Sequence, residues 1–149
     1  MDHEKYMREA LCLAREAFEA GEIPVGCVIV DANGNIIGRG RNRREETRSI
    51  LGHAEMEALE MASKARGDWR LDDCTLFVTL EPCPMCAGAM INARLGTLVY
   101  GAREKLTGSC ASIINLFEER YPCRTAIFEG VLAQESEEMM REFFSQIRK

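Results

Sequence analysis

Between Tyr6 and Phe18, apolar side chains return every three to four positions (Tyr6, Met7, Ala10, Leu11, Ala14, Ala17, Phe18), and Gly21 follows where a helix would stop. That period predicts an amphipathic helix with one buried stripe. Pro24 to Val30, PVGCVIV, is β-branched and almost continuously apolar, which predicts a strand covered on both faces. DANGN then offers the Asn-Gly turn of a hairpin, with IIGRG as the returning strand. After an arginine-rich loop, Met56, Leu59, Ala62 and Ala65 recur at helical spacing up to Gly67, so a second helix begins at or just after His53. CTLFVTL, TLVYGA and TAIFEGV predict three further strands, and CAGAMINA a helix between the first two of them. Met139, Met140, Phe143, Phe144 and Ile147 make the stripe of a last helix, where core packing explains them without any ligand. Helices alternating with strands predict an α/β architecture: a mostly parallel sheet between helical layers, opened by one antiparallel hairpin.

Composition narrows the class. A chain of 149 residues, 46% hydrophobic and 29% charged, is expected to form a single domain, residues 1–149, with its own core. It has no apolar run long enough to span a bilayer, and MDHEKYMREA has no unbroken apolar segment to act as a secretory signal, so a cytoplasmic protein with no membrane partner is expected. Seven cysteines are an odd number, and such a compartment keeps thiols reduced. Cys12, Cys27, Cys74, Cys110 and Cys123 are therefore expected as free, small, buried or half-buried side chains. A net charge of −5 argues globally against a polyanionic partner, but its distribution changes the picture. Arg39, Arg41, Arg43, Arg44 and Arg48 surround Asn42 against only Glu45 and Glu46, whereas Glu135, Glu137, Glu138 and Glu142 lie on the last helix. Such a basic rim suits a phosphate backbone.

The chemistry concentrates at two helix starts. Of two histidines, His3 belongs to an N-terminus expected to be mobile, which leaves His53, two residues before Glu55. Cys83 and Cys86 open another helix, where the positive end of the dipole favours thiolates and the two-residue spacing lets both sulfurs meet one ion. One His and two Cys leave the fourth position of a tetrahedral metal open, as a catalytic ion needs. Glu55 does not share a helix face with His53, so a proton carrier suits it better than a fourth ligand. Three other readings stand beside this one. Strand, C-x-x-C and helix is also a thioredoxin-like dithiol arrangement; Cys74 could close a structural zinc site; and His53 with Cys83 could form a nucleophilic pair that has no use for Cys86.

HAE followed by PCPMC matches the known H-x-E…P-C-x-x-C signature of the zinc nucleobase deaminases. With LEPCPMCAGAM, PVGCVIV, GRGRNR, HAEMEAL and WRLDDCTLFVTL added, nearly the whole chain resembles the bacterial tRNA-specific adenosine deaminases of the cytidine/deoxycytidylate deaminase superfamily. The resemblance implies a three-layer α/β/α cytidine-deaminase-like fold, with a five-stranded mixed sheet and helices on both faces. It also implies one Zn²⁺ per chain held by His53, Cys83 and Cys86, with Glu55 moving protons during attack on C6 of adenine. Asn42, Ala54 and Glu104 would contact the substrate, an everted wobble base of a tRNA anticodon stem-loop, and the protein would be a homodimer. Asn42 can equally be a turn residue bonded to its own backbone. Glu104 departs from the family, which commonly has Asp within GARDxKTG where this chain reads GAREKLTG. The runner-up activity is deamination of a free base or nucleoside such as guanine, cytosine or cytidine, and the competing class is a non-catalytic zinc or dithiol protein.

Overall fold

The computed structural model describes residues 1–147. Its elements are α1 (His3–Glu19), β1 (Gly26–Val30), β2 (Ile36–Arg41), α2 (Arg44–Thr47), α3 (Ala54–Arg66), β3 (Thr75–Leu80), α4 (Pro84–Asn92), β4 (Thr97–Ala102), a short 3₁₀ turn (Leu116–Glu118), β5 (Ala126–Phe128) and α5 (Ala133–Ile147). The five strands form one mixed sheet in the order β2-β1-β3-β4-β5. The parallel part is smaller than the helix–strand alternation predicts: β1 pairs antiparallel with both β2 and β3, and only β3-β4 and β4-β5 are parallel. The reason lies in the hairpin, since β1 inserts between β2 and β3, and the connection through α3 steps over it.

Each face of the sheet carries a helical layer. Tyr6, Met7 and Ala10 of α1 pack on Val28, Val30, Phe77 and Val99, and α5 lies on the same side against β3, β4 and α1. On the other face Ala54, Ala58, Leu59 and Ala62 of α3, with Cys86 and Met90 of α4, cover Cys27, Ile29, Leu76, Val78, Leu98 and Tyr100. The alternation of side chains along a strand assigns these two sets to opposite layers. α3 sits unusually close to β2, because a Cβ at Gly40 would stand 2.1 Å from the Ala54 carbonyl oxygen. A glycine there lets backbone meet backbone and brings the start of α3 down onto the sheet.

Two expectations about termini and thiols are corrected. Asp2 caps α1 through the Lys5 amide, and the His3 ring lies edge-on against Phe77 and Phe128 at 5.7 and 5.1 Å, so His3 is part of a packed helix start. Cys12 is exposed, since it falls on the outer side of α1, whereas Cys27, Cys74 and Cys110 are buried and Cys123 half-buried. Among the described residues no helix is long and apolar enough to cross a membrane.

Candidate metal centre and its pocket

The ends of β3 and β4 and the starts of α3 and α4 meet on one side of the sheet. His53 is the N-cap residue of α3 and Cys83 that of α4, each with extended backbone, and Pro84 occupies the first turn of α4, where its missing N–H costs nothing. Neither cap residue spends its side chain on a cap hydrogen bond, which leaves ring and sulfur free to turn inward. His53 Nδ1 lies 3.6 Å from Cys83 Sγ and 3.5 Å from Cys86 Sγ. Donor atoms of these three residues all fall within 4.8 Å of one another, a group able to hold a metal ion. Cys74 stands outside it, buried at the opposite end of β3 with its thiol 3.6 Å from an Asp73 oxygen. The near-equal distances from His53 to both sulfurs disfavour a two-residue His–Cys pair, since Cys86 is as much a member as Cys83.

The electrostatics of the group follow from its crowding. The Cys86 thiol, facing the Cys83 sulfur, pulls the Cys83 pKa down to about 4, with His53 adding to the effect. The same contact, with burial, drives Cys86 upward, and the Cys83 sulfur raises His53. A cation at the meeting point of the three side chains would stabilise both thiolates and reverse the shift on Cys86. Glu55 is buried in the first turn of α3, and burial lifts its carboxyl to about 7.

A pocket of about 140 Å³ opens over this group. Asn42, Ala54, Glu55 and Glu104 all line it together with His53 and Cys83, so the structure gathers the substrate and proton-transfer candidates around the metal group. Asn42 is also a turn residue: its Oδ1 accepts from the Arg44 amide at 3.2 Å and its Nδ2 donates to the Ile23 carbonyl at 3.3 Å. Each end keeps one further hydrogen-bonding position, so the turn and a substrate contact are compatible.

The basic rim is thinner than the arginine count implies. Arg41 and Arg43 both reach Glu46 at 2.9 Å, and Arg43 reaches Glu57 at 2.7 Å. Among the described residues no carboxylate pairs with Arg39, Arg44 or Arg48, and of the three only Arg44 lines the pocket. The loop also contains the one-turn helix α2, which the sequence pattern did not predict; the buried Glu22 carboxylate accepts the Glu45 and Glu46 amides at 3.1 and 2.7 Å and holds that turn. Glu22 and Glu81, both 2% exposed, are the organising residues that pattern reading missed. Their signal was present but faint: a carboxylate directly after an apolar strand or beside a helix stop must find donors if it is buried.

Residues 1–148 match the model of the MafB19-like deaminase family. The chain is 45% identical over 147 residues to a tRNA-specific adenosine deaminase of Bacillus subtilis (strain 168), covering 98% of this chain and 91% of that one. A solved structure from a study of A-to-I editing by tRNA:A34 deaminases at the wobble position of transfer RNA superposes with a TM-score of 0.87 at 38% identity, over 91% of this chain and 98% of its own. A guanine deaminase from Nitrosomonas europaea superposes with a TM-score of 0.83 at 25% identity, over 95% of this chain and 84% of its own. This chain belongs to the MafB19-like deaminase family.

Proposed function

We propose that the protein deaminates adenosine to inosine at the wobble position of a tRNA anticodon, with zinc held by His53, Cys83 and Cys86. The observation that carries the metal assignment is the His53–sulfur spacing. Tetrahedral geometry with Zn–S near 2.3 Å and Zn–N near 2.0 to 2.1 Å requires about 3.6 Å between nitrogen and sulfur ligands, and the two separations are 3.6 and 3.5 Å. Zinc held there supplies a Lewis acid that makes water nucleophilic near neutral pH. Glu55 takes a proton from the attacking water and delivers it to the purine ring and the departing amine, so that adenosine and water yield inosine and ammonia. A buried carboxyl lifted to about 7 is suited to both directions of that transfer. Asn42 reads the purine edge with the positions its turn leaves open, Ala54 lies along the base, and Glu104 borders it.

The choice of an RNA substrate rests on the Bacillus subtilis relative and on Arg44, a pocket-lining cation with no carboxylate partner among the described residues, suited to a backbone phosphate. Ile50, Leu51, Leu106 and Ile113 are exposed apolar side chains that a homodimer would cover, and a cytoplasmic location suits a tRNA enzyme with free thiols. A second reading, deamination of a free purine, is favoured by the likeness to the guanine deaminase. Incubation of the zinc-loaded protein with tRNA, followed by sequencing for adenosine-to-guanosine changes, is expected to show conversion at position 34. Ammonia released from guanine or free nucleosides, with tRNA unchanged, would replace the first reading by the second.

A further inference from the structure

Glu81 stands two residues before Cys83, 2% exposed, and among the described residues no lysine or arginine pairs with it. Its charge is met by N–H and O–H dipoles of a single loop. Oε1 accepts from the Glu104 amide at 3.1 Å and from the Ser112 hydroxyl; Oε2 accepts from the successive amides of Cys110, Ala111 and Ser112 at 3.0, 2.9 and 3.0 Å. Consecutive amides converging on one oxygen form an anion-binding nest, here filled by the protein's own carboxylate. The wrapping is tight: a Cβ at Gly108 would lie 2.4 Å from Glu81 Cδ and 2.5 Å from its Oε1.

The wrapped loop, residues 103–112, contributes Glu104 and Thr107 to the metal pocket. Its other ties are the Ser109 amide to the Pro82 carbonyl at 2.9 Å, the Arg103–Glu129 ion pair at 2.9 Å, the Ile113 and Leu116 amides to the Gly108 and Ser109 carbonyls at 3.0 and 2.9 Å, and the buried Cys110 side chain. Glu81 alone accepts five hydrogen bonds from this loop and so ties the pocket wall to the turn that presents Cys83. We infer that Glu81 is a positioning residue for substrate: it holds loop 103–112 as a preformed wall of the pocket and thereby sets affinity for the anticodon RNA, not the rate of the chemical step. This inference rests on the deaminase reading for its kinetic arm, while its structural arm stands without it.

Glu81→Gln keeps the shape and replaces one acceptor oxygen by a donor that faces N–H groups. The zinc-loaded variant is expected to retain one zinc per chain, to raise KM for an anticodon stem-loop roughly tenfold and to leave kcat within about threefold. In the substrate-free protein the amides of Cys110, Ala111 and Ser112 should lose their protection from hydrogen exchange. Ser112→Ala, which removes a single donor, should shift KM the same way by roughly threefold, and it decides the matter by the same readouts if the glutamine variant does not fold. Unchanged exchange at those amides overturns the loop tie. Faster exchange with unaltered KM, or a fall in kcat at constant KM, overturns the role in substrate positioning. Wild-type protein that converts no anticodon RNA would instead refute the proposed function, leaving the exchange result to be judged by itself.

Discussion

Glu55 and Glu81 are carboxylates of one pocket, 5% and 2% exposed, and their acidities move in opposite directions. Burial raises both, yet Glu55 ends near 7 whereas Glu81 falls below the ordinary carboxylate range. The difference is the supply of donors. Glu55 meets only its own amide and the Cys86 thiol, whereas Glu81 collects four backbone amides and a hydroxyl. Depth alone does not decide whether a buried acid is charged; saturation by hydrogen bonds does. The same residue type, placed twice around one pocket, is thus shifted in opposite directions by its surroundings.

The contrast can be broken most forcefully at Glu55. Glu55→Gln is expected to keep one zinc per chain and lower kcat by about 10²- to 10⁴-fold, read by single-turnover inosine formation. A loss confined to KM would make the two glutamates alike.

A stability comparison sharpens the opposite signs. In the metal-free protein the Glu55 carboxyl, raised to about 7, favours folding fully below its unfolded pKa and loses that contribution as pH rises through about 7. The wild type minus Glu55→Gln difference in unfolding free energy should therefore shrink between about pH 4.3 and 7, by up to about 3 kcal/mol. Glu81, held low, contributes above its unfolded pKa and loses that contribution as pH falls, so Glu81→Gln should flatten the acid limb of the curve. Denaturant titrations from pH 3 to 8 would read both; a flat Glu55 difference would defeat the first.

Asn42→Ala tests whether a polar group already engaged in a turn can also serve substrate. Loss of its bonds to Arg44 and Ile23 should cost about 1 to 2 kcal/mol of stability, with a larger proportional loss in kcat/KM than in melting behaviour. Equal kcat/KM would confine Asn42 to the turn. The smallest effect is expected at the exposed control, Glu142, 3.5 Å from Arg15. Glu142→Gln should change stability by less than about 0.5 kcal/mol in thermal unfolding, because water screens the pair.

The periodic elements were legible because their signals are local. The α1 stripe, the buried β1 run and the α3 and α4 starts at His53 and Cys83 all appear at the positions their patterns predict, within a few residues. The hairpin was also visible, although its turn takes Asp31 to Asn35, with the Asp31 side chain accepting the Asn33 and Asn35 amides. Less legible was how many arginines of the rim stay free, since Glu57, which occupies Arg43, lies on another element. The insertion of β1 beside β3 was hidden for the same reason, as pairing partners distant in sequence leave no period to read.

By itself the sequence singled out one imidazole, two sulfurs, the carboxylate near them, and the helix starts that present them, because residue type, spacing and helix polarity act over a single turn. Only the tertiary structure decided that His53 turns Nδ1 toward both sulfurs, that Arg44 borders the pocket while Arg41 and Arg43 are spent on carboxylates, and that Glu81 fastens the opposite wall. Those outcomes depend on which distant groups packing brings within about 3 Å, a range over which hydrogen bonds and ion pairs are made or lost.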